Sequence, residues 1–98
     1  MKQATLFAAA LALSPAAHAQ DVATRNMASA CAICHGTDGR AATQDVVPLA
    51  GLPAAHIASQ MRAFRDGQRP ATVMHQIAKG YTDQQIDAMA SWFAAQKR

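Results

Sequence analysis

Cys31-Ala32-Ile33-Cys34-His35 constrains this chain more than any other stretch. Thiols three positions apart on a helical turn lie on one side, and an imidazole four positions after the first projects from that side too. Such a run can bond one flat ligand twice through sulfur while a ring nitrogen reaches a metal at its centre. The C-x-x-C-H pattern therefore reads as a c-type haem attachment site, with thioethers at Cys31 and Cys34 and His35 as proximal ligand of the iron.

Three other chemistries use parts of this pattern. A dithiol redox centre also carries C-x-x-C, but beside a βαβ arrangement, and no segment here alternates as a strand. Structural zinc wants four ligands, whereas the chain has two cysteines in all. The remaining reading is chance, with two buried thiols beside an unrelated histidine.

Residues 1–19 read as a secretory leader: Lys2 gives a positive start, residues 6–13 are unbroken apolar, and Ala17-His18-Ala19 is a small-x-small cleavage site. The apolar run is too short for a membrane span, which needs about 20 residues, and nothing later resembles one. Residues 20–98 are then the mature domain, expected in a bacterial periplasm. That compartment is oxidising, so both cysteines must be kept as thiols until haem is attached.

A mature domain of 79 residues has a core that supplies only about 3–5 kcal/mol on its own. A covalently held porphyrin would complete that core. Without Lys2, eight Lys and Arg stand against six Asp, too small an excess to suggest nucleic acid as a partner. Arg62, Arg65, Arg69, Lys79, Lys97 and Arg98 read as a solvated helical surface.

The periodicity is helical throughout and predicts an all-α domain of about four short helices around the haem. The first is expected over residues 21–34, with Asp21 as cap and Val22, Met27, Ala30 and Cys31 as its inner stripe. Gly36-Thr37-Asp38-Gly39 is a turn. Pro53 can open a second helix that carries Ile57, Met61 and Phe64 and stops at Asp66-Gly67. A short helix over residues 71–79 ends at Gly80. Thr82 and Gln85 form a capping box for the last helix, whose buried face is Ile86, Met89, Ala90 and Phe93, with Trp92 beside it.

Attachment site, Pro48-Leu49-Ala50-Gly51 segment, late methionine and aromatic final helix follow the order found in class I cytochromes c, which the chain resembles over nearly all of residues 20–98. Gly67-Gln68-Arg69-Pro70-Ala71-Thr72-Val73-Met74, continued by Ile77-Ala78-Lys79-Gly80-Tyr81-Thr82-Asp83, is most similar to the cytochrome subunit of flavocytochrome c sulfide dehydrogenase. The resemblance implies one covalent haem c in a small helical shell, with the first and last helices packed crosswise. It also implies that the Pro48 carbonyl accepts a hydrogen bond from the second nitrogen of His35, fixing its tautomer.

Four methionines and one histidine compete for the sixth iron position. Met27, Met61 and Met89 are each explained as core packing, and the resemblance points to Met74. His75 is its rival, because neighbouring helical side chains diverge and only one of the two can face the iron. His56 is expected to face solvent. An iron closed by His35 and Met74 has no open position for substrate, so the chain is expected to transfer single electrons without being catalytic alone. Its partners would be redox proteins, either a flavoprotein of the sulfide dehydrogenase type or the partners of a freely diffusing carrier. Departing from the resembled subunit, which commonly carries two haem domains, this chain has a single C-x-x-C-H.

Overall fold

The segment that carries the thiols is not one helix. The computed structural model describes residues 3–4 and 16–98, with side chains of the first helix described from Val22 onward. In it α1 spans Ala16–Ser29 and α2 spans Ala32–His35. Between them, the amides of Ala30 and Cys31 bond to the carbonyls of Met27 and Ala28, three residues back, at 3.3 and 3.0 Å. These tight bonds end α1, and α2 restarts with the His35 amide on the Cys31 carbonyl at 2.8 Å. The single helix expected over residues 21–34 is thus corrected to two. Because α1 begins five residues before Asp21, that residue does not cap it. Most of the leader expected over residues 1–19 lies outside the described residues.

The inner stripe of α1 also differs from expectation. Val22 and Ala30 are exposed, and Ala28, at 2 % exposure, is the residue that enters the core. It joins Ile57, Ala58, Ile86, Ala90 and Phe93 in one cluster. Alanines at positions 28 and 90 let α1 and α5 approach closely, because small side chains shorten the distance between packed helices.

Helix α3, Ala54–Arg65, starts after Pro53, whose carbonyl accepts from the amides of His56 and Ile57. The ring fixes φ at −56°, a value suited to a helix entry. Gly67, at φ +74°, turns the chain out of α3, and the Gln68 amide closes the end on the Ala63 carbonyl at 2.8 Å. Helix α4 is short, Met74–Ala78. Helix α5, Asp83–Ala94, opens with the capping box in full: the Gln85 amide donates to Thr82 Oγ1 and the Thr82 amide to Gln85 Oε1. Its predicted face is the buried one, with Ile86, Met89, Ala90 and Phe93 all within 3 % exposure. Trp92 stands edge-on to Phe93.

On the outside, α3 and α5 are joined by charge. Arg62 reaches Asp83 and Asp87 at 3.2 and 2.6 Å, and Arg65 reaches Asp83 at 2.7 Å. Five α-helices and a 3₁₀ turn at Thr37–Gly39 account for the regular structure among the described residues, with no strand. The architecture is all-α, in a small class I cytochrome c arrangement.

Candidate functional site

His35 ends α2 and turns its ring toward the loop that follows. Its Nδ1 lies 2.7 Å from the carbonyl oxygen of Val47. A carbonyl can only accept, so Nδ1 carries the proton and Nε2 keeps its lone pair for a metal. The acceptor expected from resemblance was Pro48, one residue later, and the geometry corrects it to Val47. A residue before proline is held extended, where successive carbonyls point to opposite sides, so only one of the pair can meet the ring. The Leu49 and Ala50 amides both donate to the Gly39 carbonyl, at 2.8 and 3.1 Å, and fix the loop just beyond this contact.

The two thiols are both free and differ in setting. Cys34 is exposed, while Cys31 is half-buried against the core cluster. Burial pushes the Cys31 thiol above its ordinary pKa. The Tyr81 hydroxyl is also pushed up, by burial and then by the Cys31 charge, and both side chains pack on the core cluster. Ile33 between them is 89 % exposed. Among the described residues no three His, Cys, Asp or Glu side chains converge on a point where a metal ion could sit.

Helix α4 supplies the other candidates. At about 100° per residue, the order around this helix is His75, Ala78, Met74, Ile77. Ala78 is fully buried and marks the direction of the core, and Ile77 is 41 % exposed. Met74 thus sits at the border between core and an exposed apolar strip continued by Val73. A thioether flanked by uncovered apolar surface is the donor set a porphyrin would fit. His75 lies on the other side of Ala78 with its Nδ1 buried and unpartnered among the described residues. Met61 packs on the core cluster, Met89 is buried, and His56 is exposed, as expected of each.

Three features went unread in the sequence. Val47 was overlooked because its carbonyl, not its side chain, does the work. Tyr81 and Cys31 are brought to the same core cluster only through the fold. The uncovered Val73 and Ile77 strip carried a signal, an apolar pair four apart on a short helix.

No protein-family model matches the chain. Curated relatives do. Cytochrome c-554(548) of Halomonas halodenitrificans is 36 % identical over 70 residues, covering 68 % of this chain and 84 % of that protein. The cytochrome subunit of sulfide dehydrogenase of Chlorobaculum tepidum is 41 % identical over 64 residues, 64 % of this chain and 56 % of that one. A thiosulfate dehydrogenase electron acceptor of Thiomonas intermedia is 40 % identical over 70 residues, 68 % of this chain but only 32 % of that one. The chain thus spans about a third of one relative and little more than half of another.

Proposed function

This chain belongs to the small class I cytochromes c, and from that premise we propose that it is the periplasmic cytochrome that accepts single electrons from a flavoprotein oxidising a sulfur compound. One observation carries the haem assignment. A single four-residue helix and the residue before it bring together two free thiols and an imidazole whose outer nitrogen is already tied to Val47.

In this reading Cys31 and Cys34 would hold one haem c through thioethers, and His35 Nε2 and the Met74 sulfur would be the protein's donors to its iron. The haem would supply a one-electron ferric and ferrous couple. Val47 keeps the His35 ring in one tautomer and one orientation. Val73 and Ile77, exposed here, would exclude water from the Met74 side once covered by the haem. With His35 and Met74 both committed as donors, the iron would have no position open to substrate, and the chain's work would be docking and relaying charge.

The sulfur assignment is supported by the relatives named for sulfide and thiosulfate dehydrogenases. A freely diffusing carrier is the second reading, favoured by the match over most of cytochrome c-554(548). The leader at residues 1–19 and the domain at residues 20–98 are part of the proposal. No helix among the described residues is long and apolar enough to cross a membrane.

Protein recovered from the periplasm after denaturing extraction tests the reading. Haem that stays with the polypeptide and a weak long-wavelength ferric absorption are expected; haem lost to the extract would refute the attachment. Flavin copurifying with the chain identifies the enzyme subunit, and its absence the free carrier.

A further inference from the structure

Away from the attachment helix, a cavity of about 250 Å³ opens between the loop after α2 and the end of the chain's last helix, lined by Arg40, Ala41, Pro48, Ala50, Leu52 and Arg98. Its walls are apolar and its two charged lining residues are both arginines, with no acid among them.

The Arg40 guanidinium is held by the fold, and the Arg98 stem is seated on a glycine. Arg40 Nε donates to the Lys97 carbonyl at 2.8 Å, a bond that orients the group without neutralising it. Arg40 also forms an ion pair with Asp38, through Nη1 at 3.5 Å, so Arg98 is the less compensated of the two cations. Arg98 makes no ion pair among the described residues. Its stem crosses Gly51, where a Cβ would stand 2.8 Å from Arg98 Cγ and 3.2 Å from Nε. Gly51, at φ +73°, is therefore the floor that lets Arg98 lie against the cavity. Its amide is anchored to the Phe93 carbonyl at 3.0 Å.

A small cavity with apolar walls and two cations suits one class of ligand. The volume holds about eight water-sized groups at roughly 30 Å³ each. Guanidinium groups match carboxylates in planar, two-bonded geometry, and apolar walls reward a carbon body that an inorganic anion lacks. The geometry points to a binding site for a short-chain organic carboxylate between Arg40 and Arg98. The site uses no haem ligand and stands independently of the proposed electron-transfer role. Pro48 in its wall directly follows Val47, so an occupant sits one residue from the backbone that holds His35.

Titration of the isolated protein with sodium succinate, followed by nuclear magnetic resonance at ionic strength held constant with sodium chloride, tests this. Saturable shifts are expected at the Leu52 and Ala41 methyls and at the Arg40 Nε proton. Arg40→Gln and Arg98→Gln should each weaken binding by about tenfold or more, since each removes a charge-assisted contact. Arg98→Gln leaves the Arg40 bond to Lys97 intact, so it remains informative if Arg40→Gln folds poorly. Sodium sulfate, a dianion without a carbon body, should bind more weakly than succinate. Equal binding of sulfate, non-saturable shifts, or undiminished binding in both variants would overturn the proposal. The optical spectrum of the same samples reports the haem separately, so failure of either assignment is seen on its own.

Discussion

His35 Nδ1 and the Val47 carbonyl oxygen stand 2.7 Å apart, and this contact decides that Nε2 is the nitrogen left without a proton, the one the proposed haem would meet. A donated proton also makes the imidazole a stronger electron donor, which favours ferric iron and lowers the reduction potential. Pro48→Gly should release the restraint on the Val47 backbone and loosen the bond without touching either partner. The expected result is a rise in potential of up to about 60 mV, the tenfold scale of such supporting contacts for a one-electron couple. Voltammetry of the two proteins checks it, and an unchanged potential would mean that the Val47 carbonyl does not tune the iron.

Met74→Ala should leave haem attached while opening the sixth position. The ferric long-wavelength absorption disappears, the potential falls, and small external ligands bind. Met61→Ala and Met89→Ala should keep the spectrum and cost stability only, because both side chains are spent in packing. His75→Ala decides between neighbours: loss of the low-spin spectrum there, with Met74→Ala unaffected, would transfer the ligand to His75.

Cys31→Ala combined with Cys34→Ala should give a polypeptide whose mass after acid extraction lacks the haem increment. Yield is expected to fall as well, since the domain loses the apolar body that its exposed Val47, Val73 and Ile77 would cover. Normal accumulation with retained haem would count against thioether attachment.

Two packing variants measure the shell itself. Ile86, at 1 % exposure, should cost about 2–5 kcal/mol on truncation to Ala. Gly39 is held at φ +80°, and an added Cβ would meet Phe93 Cδ1 at 2.8 Å and the Ala50 nitrogen at 2.9 Å. Gly39→Ala should therefore destabilise by more than about 1 kcal/mol, through strain and through the displaced loop. Chemical denaturation reads both.

Asp83 gives the fold its acid sensitivity. Hydrogen bonds from Arg65 and then Arg62 hold its carboxyl below the usual range. Since the folded pKa is the lower one, its stabilisation is complete above the unfolded value, about pH 4, and is lost as pH falls through the depressed folded value. Asp83→Asn should lower the melting temperature at pH 7, and the gap from the parent should close on acidification. A gap that persists at the lowest pH would mean that Asp83 acts through its cap position instead.

What was legible in the sequence was local. Thr82 and Gln85 meet within one helical turn, the α5 stripe repeats at helical spacing, and Gly67 stops α3 by its own backbone freedom. The break after Ser29 was hidden because neither Ala30 nor Cys31 is a helix breaker. Arg62 and Arg65 read as free surface, yet Asp83, their shared partner, lies 21 residues beyond Arg62 and meets them only when α3 and α5 pack. The choice of Val47 over Pro48 likewise depends on where the loop is pinned, by Gly39, which no side-chain pattern records.

The bond from the Gly51 amide to the Phe93 carbonyl has a consequence in time. Cys31, Cys34 and His35 leave the ribosome early, at about 5–20 residues per second, whereas the helix that steadies the loop beside Val47 is made well over half the chain later. Through that interval the loop that holds His35 has its anchor on Gly39 but lacks the one on Phe93. Haem joined to the pentapeptide before α5 has docked would meet an imidazole whose supporting loop has one anchor in place of two.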